Sequence, residues 1–215
     1  LREPVSRFVS LFNFVRTIQT KFRTAENFVA AVKSRKSVKV NDANAFCNNM
    51  AWVLSGEPIE KTFAYVDSLE EAATIESQLF GELEARGFTM LLSDRMAESM
   101  VLLMHKMRWD IKSVRFSDTS DRIQNRKTYL CQSESCRTAI LSCNRVDQLL
   151  WQRYQPIFRE QLSQVPEADN RINEFLKQWR SKSTGPWMRK YPGNCFQTNT
   201  PDPRFRKLHM CGNSK

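Results

Sequence analysis

Residues 68–116 read SLEEAATIESQLFGELEARGFTMLLSDRMAESMVLLMHKMRWDIKSVRF, and this stretch decides the predicted fold class. It begins with Ser68 followed three residues later by Glu71, the capping box with which many helices start. Gly87 stands where the left-handed cap at the end of a helix is expected. These signals together predict a helix over residues 68–86.

An apolar segment at 88–92 follows this helix directly and is typical of a short buried strand. A second helix is predicted over 95–108, and residues 111–116 then alternate apolar and polar side chains as a strand does. One face of the second helix is apolar and is expected to pack in the core: Met96, Met100, Leu103 and Met107. The order helix, strand, helix, strand favours an α/β fold, a parallel sheet flanked by helices.

Helical signals also flank this central stretch. Pro4 suits the first turn of a helix over 4–18, because its missing N–H would have no intrahelical partner there. The apolar side chains of that helix recur at helical spacing: Val5, Phe8, Val9, Phe12 and Val15. Four more helices are predicted, over 25–36, 43–54, 146–155 and 167–180. Thr24 is the expected cap of the first, and Asp42 and Gly56 stand at the start and just past the end of the second. Pro156 is expected to interrupt the chain between the last two.

The chain has 215 residues and carries 33 Lys and Arg against 23 Asp and Glu, a formal charge of +10. This balance points to an anionic partner such as a phosphorylated cofactor, an acidic glycan, nucleic acid or a membrane surface. The charge lies at the two ends, +7 over 1–40 and +6 over 181–215, around a slightly acidic middle. Nucleic-acid binders usually spread their basic residues over one continuous face, so no nucleic acid is expected. The basic residues of 181–215 also fit a solvated tail.

Six cysteines leave three interpretations open, namely disulfides, inert thiols and a metal site. They are Cys47, Cys131, Cys136, Cys143, Cys195 and Cys211. An even number fits an oxidising compartment, although spacing does not choose among the possible pairings. Cys131 with Cys136 can close a short local loop, and Cys195 with Cys211 can hold the tail. Because no Cys-x-x-Cys is present and there are only two histidines, zinc is disfavoured and no metal is expected.

The first ten residues, LREPVSRFVS, carry the strongest indication of a ligand. A strand can deliver Arg2 to a tight turn, after which Pro4 begins a helix whose free N–H groups and positive dipole end favour a phosphate. Arg2 offers a planar fork of donors, and Ser10 adds a hydroxyl about 9 Å along the helix from Pro4. Arg7 is a second donor candidate unless it holds a carboxylate elsewhere in the fold. The alternative is that Arg2, Glu3 and Ser10 are ordinary surface residues.

This opening, with its pattern Leu-Arg-acid-Pro-x-x-Arg-x-x-Ser, resembles the segment with which sulfotransferases bind the 3′-phosphate of their donor, 3′-phosphoadenosine-5′-phosphosulfate. More widely, the chain is similar to the Golgi galactose-3-O-sulfotransferase family, which includes galactosylceramide sulfotransferase. Three later stretches carry that similarity in the family's order: an Asn-x-Phe helix ending in Gly at 44–56, a Glu-Ser segment followed by apolar residues at 91–103, and a late helix rich in Tyr, Phe and Trp at 147–158.

The resemblance implies a particular fold and site. It covers residues 1–165, which would form the C-terminal portion of a P-loop-like sulfotransferase domain. Residues 166–215 would add a helix and a basic extension that contains proline and glycine. Carried over residue by residue, Arg2 and Ser10 would bind the 3′-phosphate of the donor, whereas the Glu-Ser pair at 98–99 would be mainly structural.

The implied reaction transfers a sulfuryl group to a sugar hydroxyl, in particular the 3-OH of galactose in a glycolipid or glycoprotein, in the lumen of the Golgi. The family's catalytic basic residue lies in a phosphosulfate-binding loop upstream of the 3′-phosphate motif. Neither that loop nor a Gly-x-x-x-x-Gly-Lys sequence occurs here. The catalytic residue and a membrane anchor are therefore expected upstream, and this chain alone is expected to be inactive. His105 and His209 are interpreted as solvated and are not assigned as bases.

A different class of function stays open beside this one. It is a non-catalytic module that binds an acidic glycan or nucleic acid through the basic ends at 1–40 and 181–215. Salt-sensitive binding that does not depend on Arg2 and Ser10 would distinguish such a module from the enzyme.

Overall fold

The computed structural model describes residues 1–34, 38–56, 66–111 and 131–183. Within these ranges the chain is 76% helical and contains no strand. The helices are α1 Pro4–Phe14, α2 Arg16–Phe22, α3 Ala25–Lys33, α4 Val40–Phe46, α5 Asn49–Ser55, α6 Leu69–Ala85, α7 Met96–Met107, α8 Glu134–Ser142, α9 Arg145–Ser163 and α10 Ala168–Ser183, with a 3-10 turn at Ser93–Arg95 before α7.

The helix boundaries follow the capping signals where a cap is written locally in the sequence. The Ser68 hydroxyl accepts the Glu71 N–H at 2.9 Å, and the Thr24 hydroxyl accepts the Asn27 N–H at 3.2 Å. Gly87 follows α6 with a φ of +64°, in the left-handed region that glycine adopts without strain. The predicted helices over 68–86, 25–36 and 95–108 are therefore confirmed, with small shifts at their ends.

Three predicted boundaries are wrong, the last two for a tertiary reason. The first helix ends at Phe14, and α2 begins after Val15. The helix predicted over 43–54 is two helices, because Cys47 is bonded to Cys143 and Asn48 adopts a left-handed φ of +48° between them. Pro156 lies inside α9 instead of interrupting it.

The continuity of α9 through Pro156 follows from what the helix buries. A proline inside a helix costs about 3 kcal/mol or more, because one hydrogen bond is lost and the ring clashes with the preceding turn. Tyr154 and Phe158, on either side of the proline, are 3% and 0% exposed. Since burying a large apolar side chain contributes about 1.5–3 kcal/mol, keeping both on one buried face offsets the penalty.

The helices pack around two main apolar clusters. The first contains side chains from α1, α2, α3, α4 and α8, and its centre consists of phenylalanines. The ring centroid of Phe46 lies 5.3 Å from that of Phe8 and 4.8 Å from that of Phe28. The second joins α6, α7, α9 and α10, and a smaller cluster connects α5 to α6 and α9. The predicted stripe of α1 is confirmed, with Val5, Phe8 and Phe12 buried and Val9 and Val15 partly buried.

The predicted stripe of α7 is only partly correct. Met100 is buried and Leu103 is partly buried, but Met96 and Met107 are exposed. The buried side of the helix is completed instead by Val101, Leu102 and Met104. Both α9 and α10 contact α7, and two neighbours on different sides bury a wider arc than one apolar stripe.

The segment 88–92, predicted as a strand, is extended but is not part of a sheet among the described residues. Leu1 donates its N–H to the Leu91 carbonyl and accepts the Ser93 N–H at 2.7 Å. Bonds that flank one residue in this way follow the pattern of a parallel ladder. The second predicted strand, 111–116, lies outside the described residues from 112 onward, so the parallel sheet stays a prediction.

A buried polar network joins α1, α5 and α9. The Asp147 carboxylate accepts the N–H groups of Met50 at 3.1 Å and Ala51 at 2.8 Å, and so it caps the start of α5 from another helix. The Asn48 side-chain oxygen in turn accepts the Val146 N–H at 3.0 Å at the start of α9. Each of these two helix starts is therefore capped by a residue from the other side of the Cys47–Cys143 disulfide.

Arg7 supplies the counter-charge for this network. Its Nη2 lies 3.5 Å from an Asp147 oxygen, and it donates to the Phe46 carbonyl at 2.7 Å and to the Asn144 side-chain oxygen at 3.0 Å. Asp147 is 0% exposed. Burial raises the pKa of the Asp147 carboxyl, and Arg7 together with the two backbone donors opposes that rise. The ion pair is thus part of the folded core.

Replacing Asp147 with Ala is expected to lower the free energy of unfolding by about 3–5 kcal/mol, because the Arg7 guanidinium is then buried without its counter-charge. The N–H groups at the start of α5 lose their acceptor at the same time. Urea unfolding followed by far-UV circular dichroism measures the change.

Glu82→Ala is the matched control, because it also removes a carboxylate paired with an arginine, at 3.4 Å from Arg86. The side chains of that pair are 56% and 62% exposed, so the expected loss is below about 1 kcal/mol. Equal losses in the two variants would contradict a structural role for the Asp147 carboxylate.

Candidate functional site

Arg2 lies between Leu1 and the start of α1. Leu1 lies beside 91–93, and the helix begins at Pro4. The Arg2 N–H points to the Met50 sulfur, 3.4 Å away. The Arg2 side chain is only partly exposed, yet among the described residues its guanidinium forms no hydrogen bond or ion pair.

Ser10 lies on α1 with its side chain exposed. Within the described part of the chain its hydroxyl has no hydrogen-bond partner and is not joined to Arg2. Ser6 is exposed one turn earlier on the same face. Arg2 and Ser10 are therefore both accessible, about two helical turns apart, without any direct bond between them.

Glu3 changes the expected role of the helix start. Its two carboxylate oxygens accept the N–H groups of Val5 at 3.2 Å and Ser6 at 2.6 Å. The free N–H groups and positive helix end that were expected to attract a phosphate are thus already occupied by a carboxylate, and that expectation is wrong. A phosphate at this turn must be held by side chains.

Arg7 is the second donor candidate, and the structure assigns it elsewhere. Its guanidinium donates to backbone carbonyls of 45–46 and pairs with Asp147, as described above. Only the interpretation that it holds a carboxylate within the fold is confirmed. The motif's two arginines therefore differ, because Arg7 is paired within the fold whereas the Arg2 guanidinium has no partner among the described residues.

Glu98 and Ser99 both make contacts within the fold, and the resemblance implied a mainly structural role for them. The buried Ser99 hydroxyl accepts the Leu92 N–H at 2.9 Å and donates to the Leu92 carbonyl at 2.8 Å. Glu98 pairs with Arg95 at 2.5 Å. These contacts hold the extended segment 88–92 against the start of α7, next to Leu1.

The remaining sequence expectations have mixed outcomes. Cys131 and Cys136 form the predicted local disulfide, while Cys195, Cys211 and His209 lie outside the described residues. His105 is exposed near the end of α7, as expected. Within the described ranges, no three His, Cys, Asp or Glu side chains come together in a way that could hold a metal ion.

Among the residues that the structure describes, no helix combines the length and the apolar character needed to cross a bilayer.

Sequence reasoning missed the capping network of Asn48, Asn144 and Asp147, although a signal was present. The dipeptide Cys-Asn occurs twice, at 47–48 and at 143–144, and the structure joins the two copies by a disulfide and a hydrogen bond of 3.0 Å.

Comparisons with known proteins gave no match. No protein family, no curated protein and no solved structure matches the chain.

Replacing Glu3 with Ala is expected to lower the free energy of unfolding by about 1 kcal/mol, because α1 loses the acceptor for two of its first N–H groups. Denaturant unfolding measures the loss. Glu84→Ala serves as the control, since Glu84 is exposed in the last turn of α6, where no N–H group needs a cap. A Glu3 variant as stable as the Glu84 variant would show that the carboxylate does not cap the helix.

Proposed function

We propose that this chain is the C-terminal portion of a sulfotransferase that uses 3′-phosphoadenosine-5′-phosphosulfate, with Arg2 and Ser10 as ligands of the donor's 3′-phosphate. The acceptor in this proposal is a galactose 3-OH of a glycolipid or glycoprotein, in the Golgi lumen. The proposal includes an α/β domain that extends over residues 1–165, followed by the helical and basic residues 166–215.

The observation that carries the proposal is that the partly buried Arg2 guanidinium has no partner among the described residues. A half-buried guanidinium is normally paired, because removing a charge from water without a partner is unfavourable. Arg2 has no partner in the described part of the chain, whereas Arg7 on the same motif has several. A planar guanidinium that is held near the protein surface and left unpaired is well suited to binding a phosphate in a bidentate manner.

The electrostatics around the turn support an anion at the same place. Burial lowers the pKa of Arg7, the Asp147 carboxylate opposes this, and the positive charge of Arg2 lowers it further. The two arginines therefore repel each other, and among the described residues only Arg7 is paired with a carboxylate. A phosphate bound by Arg2 would relieve that repulsion.

Ser10 fits the remaining part of the phosphate site. It is exposed on α1, eight residues after Arg2, and its hydroxyl is not engaged by the described residues. A hydroxyl can donate to a phosphate oxygen that Arg2 does not reach. Glu3 contributes in a different way, since its carboxylate completes α1 and so keeps the turn that presents Arg2.

The proposed chemistry is an in-line displacement at sulfur. A base takes the proton of the acceptor hydroxyl, the new O–S bond forms, and the bond to the leaving phosphate of the donor breaks. Positioning and electrostatic stabilisation supply the catalysis, so the base and the cations at the leaving phosphate must be present together. In this proposal Arg2 and Ser10 bind and orient the donor, and the family's catalytic residue lies upstream.

The first test compares adenosine 3′,5′-bisphosphate with adenosine 5′-phosphate by isothermal titration calorimetry. The bisphosphate is expected to bind more tightly, because only it carries the 3′-phosphate. Arg2→Ala is expected to weaken bisphosphate binding about tenfold or more, and Ser10→Ala severalfold, in line with charged and neutral hydrogen bonds. The affinity for the 5′-phosphate should stay the same in both variants.

Ser6→Ala and Arg86→Ala are the matched controls, because they remove an exposed hydroxyl from the same face of α1 and an exposed arginine from another helix. Neither is expected to change the difference between the two nucleotides. Equal affinity for both nucleotides in the unaltered protein would refute the 3′-phosphate site. Binding to DNA that is insensitive to Arg2→Ala and Ser10→Ala would favour the non-catalytic anion-binding module instead.

A second test concerns turnover. The 215-residue chain, incubated with donor labelled in its sulfuryl group and with a galactoside acceptor, is expected to transfer no label above background. The physical reason is that Arg2 and Ser10 hold one end of the donor and provide no base for the acceptor hydroxyl. Transfer by this chain alone would show that the catalytic residue lies within it.

A further inference from the structure

An open cleft of about 700 Å³ lies where the end of α7 meets α9 and α10. Its walls combine one exposed indole, several cationic side chains and two amides over an apolar floor. The residues that matter for its chemistry are Trp109, Lys106, Arg108, Arg171, Gln161 and Gln164. A volume of this size lies within the range of about 300–1,000 Å³ that is usual for small-ligand sites.

The backbone places Arg108 at a position that normally favours glycine. Arg108 has a φ of +54°, and its N–H donates to the His105 carbonyl at 3.2 Å while the Trp109 N–H donates to the Met104 carbonyl at 2.9 Å. These two bonds are the Schellman motif that closes a helix. The left-handed conformation is unfavourable for a residue other than glycine, because the Cβ atom then lies too close to the following carbonyl oxygen.

The end of α6 makes the same turn with glycine. The Gly87 N–H donates to the Glu84 carbonyl at 2.9 Å, and the Phe88 N–H donates to the Leu83 carbonyl at 3.0 Å. Two helices of one chain thus end with one motif, in which α7 has an arginine where α6 has glycine. Arg23, at the end of α2, also has a positive φ, of +62°. Strained residues of this kind occur at functional sites, where the strain is offset by contacts with a ligand or with the rest of the fold.

The cations of the cleft are available to a ligand. In the described part of the chain, the guanidinium groups of Arg108 and Arg171 form no hydrogen bond or ion pair, and Lys106 contacts only the Thr89 hydroxyl, at 3.0 Å. The one carboxylate in the lining is Asp110. With three cations to one carboxylate, the cleft attracts anions.

The uncharged groups of the cleft indicate what kind of anion fits. Trp109 is 43% exposed, and a fixed indole face of this kind packs well against the C–H groups of a sugar ring. Gln161 and Gln164 can both donate to and accept from hydroxyl groups. Nucleic acid, by contrast, is usually held by a continuous basic groove with several aromatic side chains, and this cleft has one.

We propose that this cleft binds an oligosaccharide bearing sulfate or carboxylate groups, with a sugar ring on Trp109 and the anionic groups on Arg108 and Arg171. The site is separate from the turn at Arg2. Residue 93, at the other end of α7, is bonded to Leu1, and the helix of 12 residues spans about 18 Å. The proposal does not rest on sulfotransferase activity.

The experiment titrates the full chain with a heparin-derived tetrasaccharide, and measures affinity by calorimetry and the response of Trp109 by fluorescence. Arg108→Gly is expected to weaken binding about tenfold or more, as is Arg171→Gln. The same Arg108→Gly variant should have an unchanged or higher melting temperature, because glycine suits the left-handed position. Trp109→Phe should abolish the ligand-dependent fluorescence change.

Arg86→Gln is the matched control, because it removes one exposed cation from the corresponding end of α6 and should leave the affinity unchanged. Unsulfated heparosan tetrasaccharide distinguishes carboxylate from sulfate recognition, and binding of either anionic sugar supports the proposal. Neutral cellotetraose should bind much more weakly. The proposal is overturned if cellotetraose or a short oligothymidylate binds as tightly, if Arg86→Gln weakens binding as much as Arg108→Gly, or if heparin tetrasaccharide does not bind.

Discussion

The carboxylate of Asp147 is the constraint on which the rest of the fold depends. It is fully buried, it caps α5 through two backbone N–H groups, and it pairs with Arg7 of α1. The Cys47–Cys143 disulfide lies beside it and holds the same two parts of the chain together. Because a buried charge is tolerated only when it is paired and hydrogen-bonded, this one group determines how α1, α5 and α9 meet.

That constraint also shapes the candidate phosphate site. Arg7 is held by Asp147 and by backbone carbonyls, so α1 is oriented with Phe8 and Phe12 inward and Ser10 outward. Arg2 then remains at the turn before the helix, close to a second cation and unpaired among the described residues. The two arginines of one short motif thus differ in role, since Arg7 holds the fold together and Arg2 is the proposed phosphate ligand.

The proposed sites lie at opposite ends of α7, and each depends on the contacts that fix its own end of the helix. Its start is fixed by Ser99, which binds both backbone groups of Leu92 beside Leu1. Its end is closed by a Schellman motif that presents Arg108 and Trp109 to the cleft. Gly87 makes the same turn without strain at the end of α6, so closing a helix in this way does not require an arginine.

The sequence by itself determined the helices whose caps are local, since the Ser68 and Thr24 hydroxyls act within three residues of their own position. It also predicted the exposed position of His105, which is confirmed, whereas the assignment of Arg2 and Ser10 as phosphate ligands stays a prediction. Only the tertiary structure decided the break at Asn48, the continuation of α9 through Pro156 and the pairing of Arg7 with Asp147. These depend on contacts between residues up to about 140 positions apart in the chain, and no local pattern specifies which distant group supplies a cap or a counter-charge.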